Sequence, residues 1–276
     1  MIEFDNNKQQ RIPFRNIKGI ILIDGEVNGI KGQFAFDTGA TQTVFHQRRV
    51  GCGVENEKEA ITFDEGTQNS QVGTIDKPLV KIGDIPVSME HVFVMDMDYV
   101  ETEFQKEFPE VNFLGSLGHD LIAKGVIEID YSKEQLTFNP ELDVDDMVKV
   151  SFAMQQKLPT VRINVAGREY TFILDTGANV LLFDVASAPM EELEEVEHKE
   201  GEPPMKLRKL SFAGMEYTDV PAVVSDISAI KAVIPEIQGI VGYPVLKDRR
   251  SIFDFDHQTL YILKNKAGGR CSACGR

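Results

Sequence analysis

The sequence predicts an all-β protein made of two homologous, barrel-like lobes, each a copy of one unit. Three observations point there: a long block that recurs, β-branched runs separated by glycine-bearing turns, and a scarcity of helical periodicity. The recurrence is plainest where residues 27–45, VNGIKGQFAFDTGATQTVF, meet residues 165–183, VAGREYTFILDTGANVLLF. At a constant offset Gly29 coincides with Gly167, Phe34 with Phe172, Asp-Thr-Gly-Ala with itself, and Phe45 with Phe183. Internal repeats of this kind decide the fold before any single element does.

Two further blocks follow in the same order. Lys81-Ile82-Gly83 with Val92-Phe93-Val94 resembles Phe212-Ala213-Gly214 with Ala222-Val223-Val224. GSLGHDLIAKGVIEIDYSKEQLTF, from Gly115, runs without a gap beside GIVGYPVLKDRRSIFDFDHQTLYI, from Gly239. There Gly115, Gly118, Asp130 and Leu136 pair with Gly239, Gly242, Asp254 and Leu260.

Within each copy the elements are short strands. Residues 19–27 and 161–165 are rich in β-branched side chains, and each run is followed by a turn and a second apolar strand ending at the Asp-Thr-Gly-Ala. Residues 126–130 with 135–138, and 251–254 with 259–263, are expected to form hairpins with polar turns. One short amphipathic helix is expected over residues 99–108, where Val100, Phe104 and Phe108 recur every four positions, and only in the first copy. The expected domains are residues 1–140 and 147–265, joined by the acidic connector 141–146, with a Gly-rich, Cys-containing tail at 266–276. The acidic run 191–202 is expected to be a solvated loop.

Composition narrows the function. With a formal net charge of −15, nucleic acid and anionic membrane surfaces are repelled, so neither is an expected partner. No stretch nears the roughly 18–20 apolar residues of a membrane helix. The first ten residues are polar and acidic, unlike a secretory leader, and three cysteines are an odd number. Cytoplasmic location is the expectation. Cys271 and Cys274 are half of a zinc site and no histidine lies near them, while the five histidines lack metal-ligand spacing. Neither metal nor organic cofactor is expected. His119 follows the first-copy glycine where Tyr243 follows the second, which suggests packing more than catalysis.

At Asp37-Thr38-Gly39-Ala40 and Asp175-Thr176-Gly177-Ala178 the sequence resembles the aspartic proteases, and within them the retropepsin-like branch. It resembles pepsin in having two lobes in one chain, and retroviral proteases in having alanine after each Asp-Thr-Gly. The resemblance covers nearly all of residues 11–263 and implies a bilobal pepsin-like acid-protease fold with a central active-site cleft. It implies that Asp37 and Asp175 are catalytic, and that Leu117-Gly118 and Ile240-Val241-Gly242 thread beside the turns, with Ser116 in an apolar position. It also implies that Thr38 and Thr176 hydrogen-bond across the lobes, and that hairpin flaps cover a peptide held extended in the cleft of a monomer. By position the flap candidates are residues 62–74, which lack pepsin's tyrosine, and 195–208, whose acidic and proline residues suit a strand poorly.

The residue types fit the chemistry on their own terms. Direct attack of water on a peptide bond needs a base for the water proton and an acid for the carbonyl oxygen. Two carboxylates about 3 Å apart cannot both ionise easily, so they share one proton; aspartic proteases are the standard case. Gly39 and Gly177 permit a tight turn and a close N–H approach to the carboxyl. Ala40 and Ala178 offer no hydroxyl to the ionised form, so activity is expected nearer neutrality than pepsin's. Two other readings stand beside this one: an inactive peptide-binding or scaffolding protein, and an assembly protein whose cysteine tail binds metal with a partner.

Overall fold

The computed structural model describes residues 8–51, 55–59, 71–198 and 203–264. Cys52, the centre of the first flap candidate and the tail with Cys271 and Cys274 lie outside the described residues.

Each copy of the repeat begins with the same hairpin. Ile20–Val27 turns at Asn28-Gly29 (φ 50° and 87°) into Ile30–Phe36, and Leu158–Val165 turns at Ala166-Gly167 (φ 50° and 86°) into Arg168–Leu174. Two successive positive φ values match the right-handed strand twist, which is why a two-residue connection closes both. The registers agree as well: Val27 faces Ile30 and Val165 faces Arg168. Side chains of Ile23, Phe34 and Phe36 and their counterparts Val161, Phe172 and Leu174 are buried.

The strand that follows each aspartate turn, Val44–His46 or Leu181–Asp184, lies against two others. It runs parallel to His91–Met95 or to Met215–Ser225, and antiparallel to Phe113–Leu117 or to Gly239–Val241. Phe113–Leu117 and Gly239–Val241 in turn run parallel to Ile30–Phe36 and Arg168–Leu174. Each turn is therefore wedged between strands that come from distant parts of its own half. In the middle repeat Val92-Phe93-Val94 matches Ala222-Val223-Val224 as the sequence suggests, but the turn before it shifts by one position. Ile82–Gly83 and Phe212–Ala213 occupy equivalent places, since Ile82 faces Ile85 and Phe212 faces Met215 across their turns. The matched glycines misled because the first turn places glycine at its first residue and the second at its second.

Two expectations are corrected here. The helix over 99–108 forms as Asp98–Gln105, but it is not confined to the first copy. The matching crossover in the second half carries the short helix Ser228–Lys231, with Ile230 buried in it and Ile227, Ile234 and Ile237 buried on either side. That three-four-three spacing is helical, and was hidden by an alanine- and lysine-bearing segment of modest length. The run 191–202 is not wholly loop: Leu193–Glu195 pairs with Met205–Phe212, and the Val196 N–H donates to Pro204 O at 3.0 Å. Leu193 is buried, and Arg208 donates across the ladder to Glu194 at 2.7 Å, so cross-strand charge pairing offsets the poor intrinsic strand propensity. The second flap candidate is thus a paired hairpin at its base. In the first half Glu55–Glu59 and Gln71–Asp76 likewise pair, flanking the first candidate.

The halves meet in a sheet of 6 strands that both build. Its centre is Val126–Asp130 against Arg250–Asp254, and each is flanked by its own hairpin partner, Gln135–Phe138 and Thr259–Leu263. Gln10–Pro13 and Met147–Ser151 complete the two edges. Ile127, Ile129, Phe253 and Leu260 from this sheet join one apolar core with Ile23, Phe34, Phe172 and Phe183 from both halves. Smaller cores lie under the two crossover helices.

Candidate active site

Ile30–Phe36 and Arg168–Leu174 deliver Asp37 and Asp175 to one point where the halves face each other. The strand beneath each turn fixes it through the main chain. Asp37 N–H donates to Leu117 O at 3.1 Å and Asp175 N–H to Val241 O at 2.8 Å. Each turn closes on itself, with Ala40 N–H to Asp37 O (3.3 Å) and Ala178 N–H to Asp175 O (3.1 Å). His119 and Tyr243 then tie the far side of each turn, donating N–H to Ala40 O (2.8 Å) and Ala178 O (2.9 Å).

Gly118 and Gly242 lie against the turns, where no side chain fits. A Cβ on Gly242 would stand 1.7 Å from Asp175 O, and one on Gly118 would stand 2.3 Å from the Gln42 carbonyl carbon. Ser116 and Ile240 take equivalent places, pairing with Ala35 and Ile173, so the serine alters the side chain and leaves the ladder intact.

Thr38 and Thr176 are buried and cross-linked. Each hydroxyl accepts the other's backbone N–H, at 3.0 Å both ways, and donates onward to the opposite strand: Thr38 Oγ1 to Leu174 O (2.8 Å), Thr176 Oγ1 to Phe36 O (2.7 Å). Every buried donor and acceptor of this cluster is satisfied reciprocally, so neither turn reaches this position without the other.

Above the threonines the two carboxyls face each other across one shared donor, the Gly39 N–H. Gly39 N–H donates to Asp37 Oδ1 at 2.8 Å and to Asp175 Oδ1 at 3.2 Å, while Gly177 N–H donates to Asp175 Oδ1 at 2.7 Å. Each glycine backs onto the opposite aspartate: a Cβ on Gly39 would meet Asp175 Cγ at 2.3 Å, and one on Gly177 would meet Asp37 Cγ at 2.9 Å. Ala40 and Ala178 follow, half-buried and without a donor side chain. Burial, then the neighbouring Asp175 charge, hold the Asp37 carboxyl well above the usual carboxylate range. Burial raises Asp175 too, but its hydrogen bonds from Asp37, Gly177 and Gly39 pull the other way. Both carboxyls are thus raised above the ordinary range and titrate as a pair.

A second polar cluster, unforeseen in the sequence, lies behind the first-half turn. Glu101, on Asp98–Gln105, accepts from Arg49 Nε (2.9 Å) and from the Phe113 N–H (2.9 Å), and His46 Nε2 is 3.7 Å from it. His46, Asp96 and Asp98 together have the spacing of a metal site. The donors do not fit one: His46 Nδ1 accepts the Met97 N–H at 3.2 Å, which leaves the ring proton on Nε2, the atom that faces Asp98 Oδ1 at 3.3 Å. A protonated nitrogen has no lone pair for a metal.

No protein-family model matches the chain, nor does any curated sequence. The fold is that of the pepsin-like aspartic proteinases, two barrel-like lobes about a shared floor. The aspartic proteinase from Irpex lacteus is one solved structure of this kind, similar with a TM-score of 0.62 over 94% of this chain and 98% of that one, at 11% identity. The likeness is one of chain path.

Proposed function

We propose that this protein is an aspartic endopeptidase of the retropepsin-like kind, working as a monomer on a peptide held extended between its lobes. The supporting observation is that one donor, the Gly39 N–H, reaches both Asp37 and Asp175 above the reciprocal threonine bonds. Water held between the carboxyls gives a proton to the ionised one as its oxygen bonds the carbonyl carbon. The protonated carboxyl gives its proton to the carbonyl oxygen, forming a tetrahedral gem-diol. Collapse returns a proton to the leaving amide nitrogen and breaks the C–N bond. The chemistry calls for no metal and no organic cofactor. Hairpins at Leu193–Glu195 with Met205–Phe212, and at Glu55–Glu59 with Gln71–Asp76, are the natural supports for closing over substrate by strand addition. No described helix is long and apolar enough to cross a membrane; a reducing, cytoplasmic setting remains part of the proposal.

The test is a peptide library incubated from pH 3 to 8 with wild type, Asp37→Asn and Asp175→Asn. Cleavage is expected to fall by roughly a thousandfold or more in either variant, in line with loss of a group that acts as part of a unit. The active window should lie above about pH 4, because both carboxyls are raised above their ordinary value. Stability has a definite sign. A carboxyl raised by folding contributes fully below its unfolded pKa, and the contribution is lost as pH rises through the folded one. Asp37→Asn should therefore melt higher than wild type at neutral pH, with the gap closing toward pH 4. Tight peptide binding with no cleavage at any pH would instead assign a scaffolding protein.

A further inference from the structure

The residue after each threading glycine carries a ring that leaves its own half. Tyr243 packs edge-on against Tyr131 at 5.4 Å, and Tyr131 against Phe14 at 5.7 Å, both from the first half. His119 packs edge-on against Phe255 at 5.9 Å, and Phe255 against Phe152 at 5.8 Å, both from the second. In the repeat His119 falls on Tyr243, Tyr131 on Phe255 and Phe14 on Phe152, so one ring stack occurs twice with the halves exchanged. Its supports repeat too: Phe14 N–H donates to Glu134 O (2.8 Å) as Phe152 N–H does to Gln258 O (3.0 Å), and Tyr131 N–H to Arg249 O (3.2 Å) as Phe255 N–H does to Gly125 O (3.3 Å).

The first half holds Tyr243 more completely. Asn16 Nδ2 donates to its hydroxyl at 3.3 Å, and Gly19 lies so close that a Cβ there would stand 2.7 Å from the ring. At the matching turn of the second half Lys157 replaces that glycine, and its charge is felt at His119. The charge of Asp175 in turn reaches Tyr131.

These rings belong to the residues whose N–H groups hold Ala40 and Ala178, next to glycines with no room to yield. A displacement of Tyr243 must carry the Asp175 turn with it, and one of His119 the Asp37 turn. On the reading of the pair as a catalytic dyad, we infer that Tyr243 and His119 are positioning residues: each references one aspartate turn to the opposite half, and together they set the separation of the two carboxyls. The threonine bonds lock the turns at their bases, and the ring stacks set the tilt of what stands above them.

The separation is measurable without turnover, because closely coupled carboxyls titrate in two steps that draw together as the groups part. Carboxyl carbon NMR of aspartate-labelled protein, assigned with Asp37→Asn and Asp175→Asn, would follow both steps in wild type, Tyr243→Leu and His119→Leu. Each leucine variant is expected to bring the steps closer by about one pH unit, a tenfold change in coupling, while Tyr243→Phe and His119→Phe keep wild-type spacing. Should a leucine variant fail to fold, Phe255→Leu and Tyr131→Leu remove the same contacts from the receiving side and should act alike. Folded leucine variants with unchanged spacing would overturn the inference. Wild-type protein without coupled steps would overturn the dyad reading itself, a distinguishable result.

Discussion

Behind Asp37, the strand that follows the turn ends in His46, buried beside Glu101 and Arg49; behind Asp175, the matching strand ends in Asp184, whose Oδ2 accepts from Lys231 Nζ at 2.5 Å. Both arrangements tether a crossover helix to the back of an aspartate turn. The first spends a bidentate arginine, a buried glutamate and a histidine on it, and the second a single ion pair over an isoleucine core. In the turns themselves the main-chain bonds agree to within a few tenths of an ångström. Thr43, which takes its place beside the first turn by donating to Asp120 Oδ1 at 2.8 Å, faces Leu181 as its counterpart in the second. Duplication has therefore kept what backbone geometry needs and allowed the side-chain supports to diverge.

The sharpest way to break that comparison is to remove the two tethers. Glu101→Ala strands the buried Phe113 N–H, while Arg49, 39% exposed, can turn to water, so about 2–3 kcal/mol should be lost in urea unfolding. Asp184→Ala frees a lysine that is 30% exposed and can turn to water, so about 1–2 kcal/mol is expected. Equal losses would mean that the two supports do the same work despite their chemistry.

Next come the threonines, where the halves should be indistinguishable. Thr38→Val leaves the Thr176 N–H and the Leu174 carbonyl without their partner, and Thr176→Val does the mirror image. Each should lose about 2–4 kcal/mol, the cost of two stranded buried groups. A difference above about 1 kcal/mol would show that the crossing is less symmetric than its distances.

The smallest effect concerns the alanines. Ala40→Ser offers a hydroxyl to the ionised Asp37 carboxyl and Ala178→Ser to Asp175, so the pair should ionise at lower pH. A downward move of the pH–rate profile by about half a unit is expected. Because the two carboxyls titrate as a pair, either serine should move the profile in the same direction.

Much of this fold was legible because the repeat is carried by residues with no substitute: glycines where a Cβ would strike backbone, and threonines whose hydroxyl and N–H are both engaged across the halves. The second-half helix was not legible, because Ser228–Lys231 is a single turn and holds only Ile230 of the four buried isoleucines. The Glu101 network was hidden for a different reason: Arg49 and Glu101 are 52 residues apart and individually look like surface charges. The paired ring stacks escaped notice because no two of Phe14, Tyr131 and Tyr243 are near in sequence, and each alone is an ordinary core aromatic. Middle-repeat register failed on a matched glycine, where turn position and residue identity disagree.

The threonine crossing joins positions 138 residues apart. On a ribosome the first half emerges long before its partner, and Asp175 must still wait for the strand Gly239–Val241 that supplies its carbonyl anchor. No fragment released early holds both carboxyls in register. On the proposed reading, any activity therefore waits until that strand has been made.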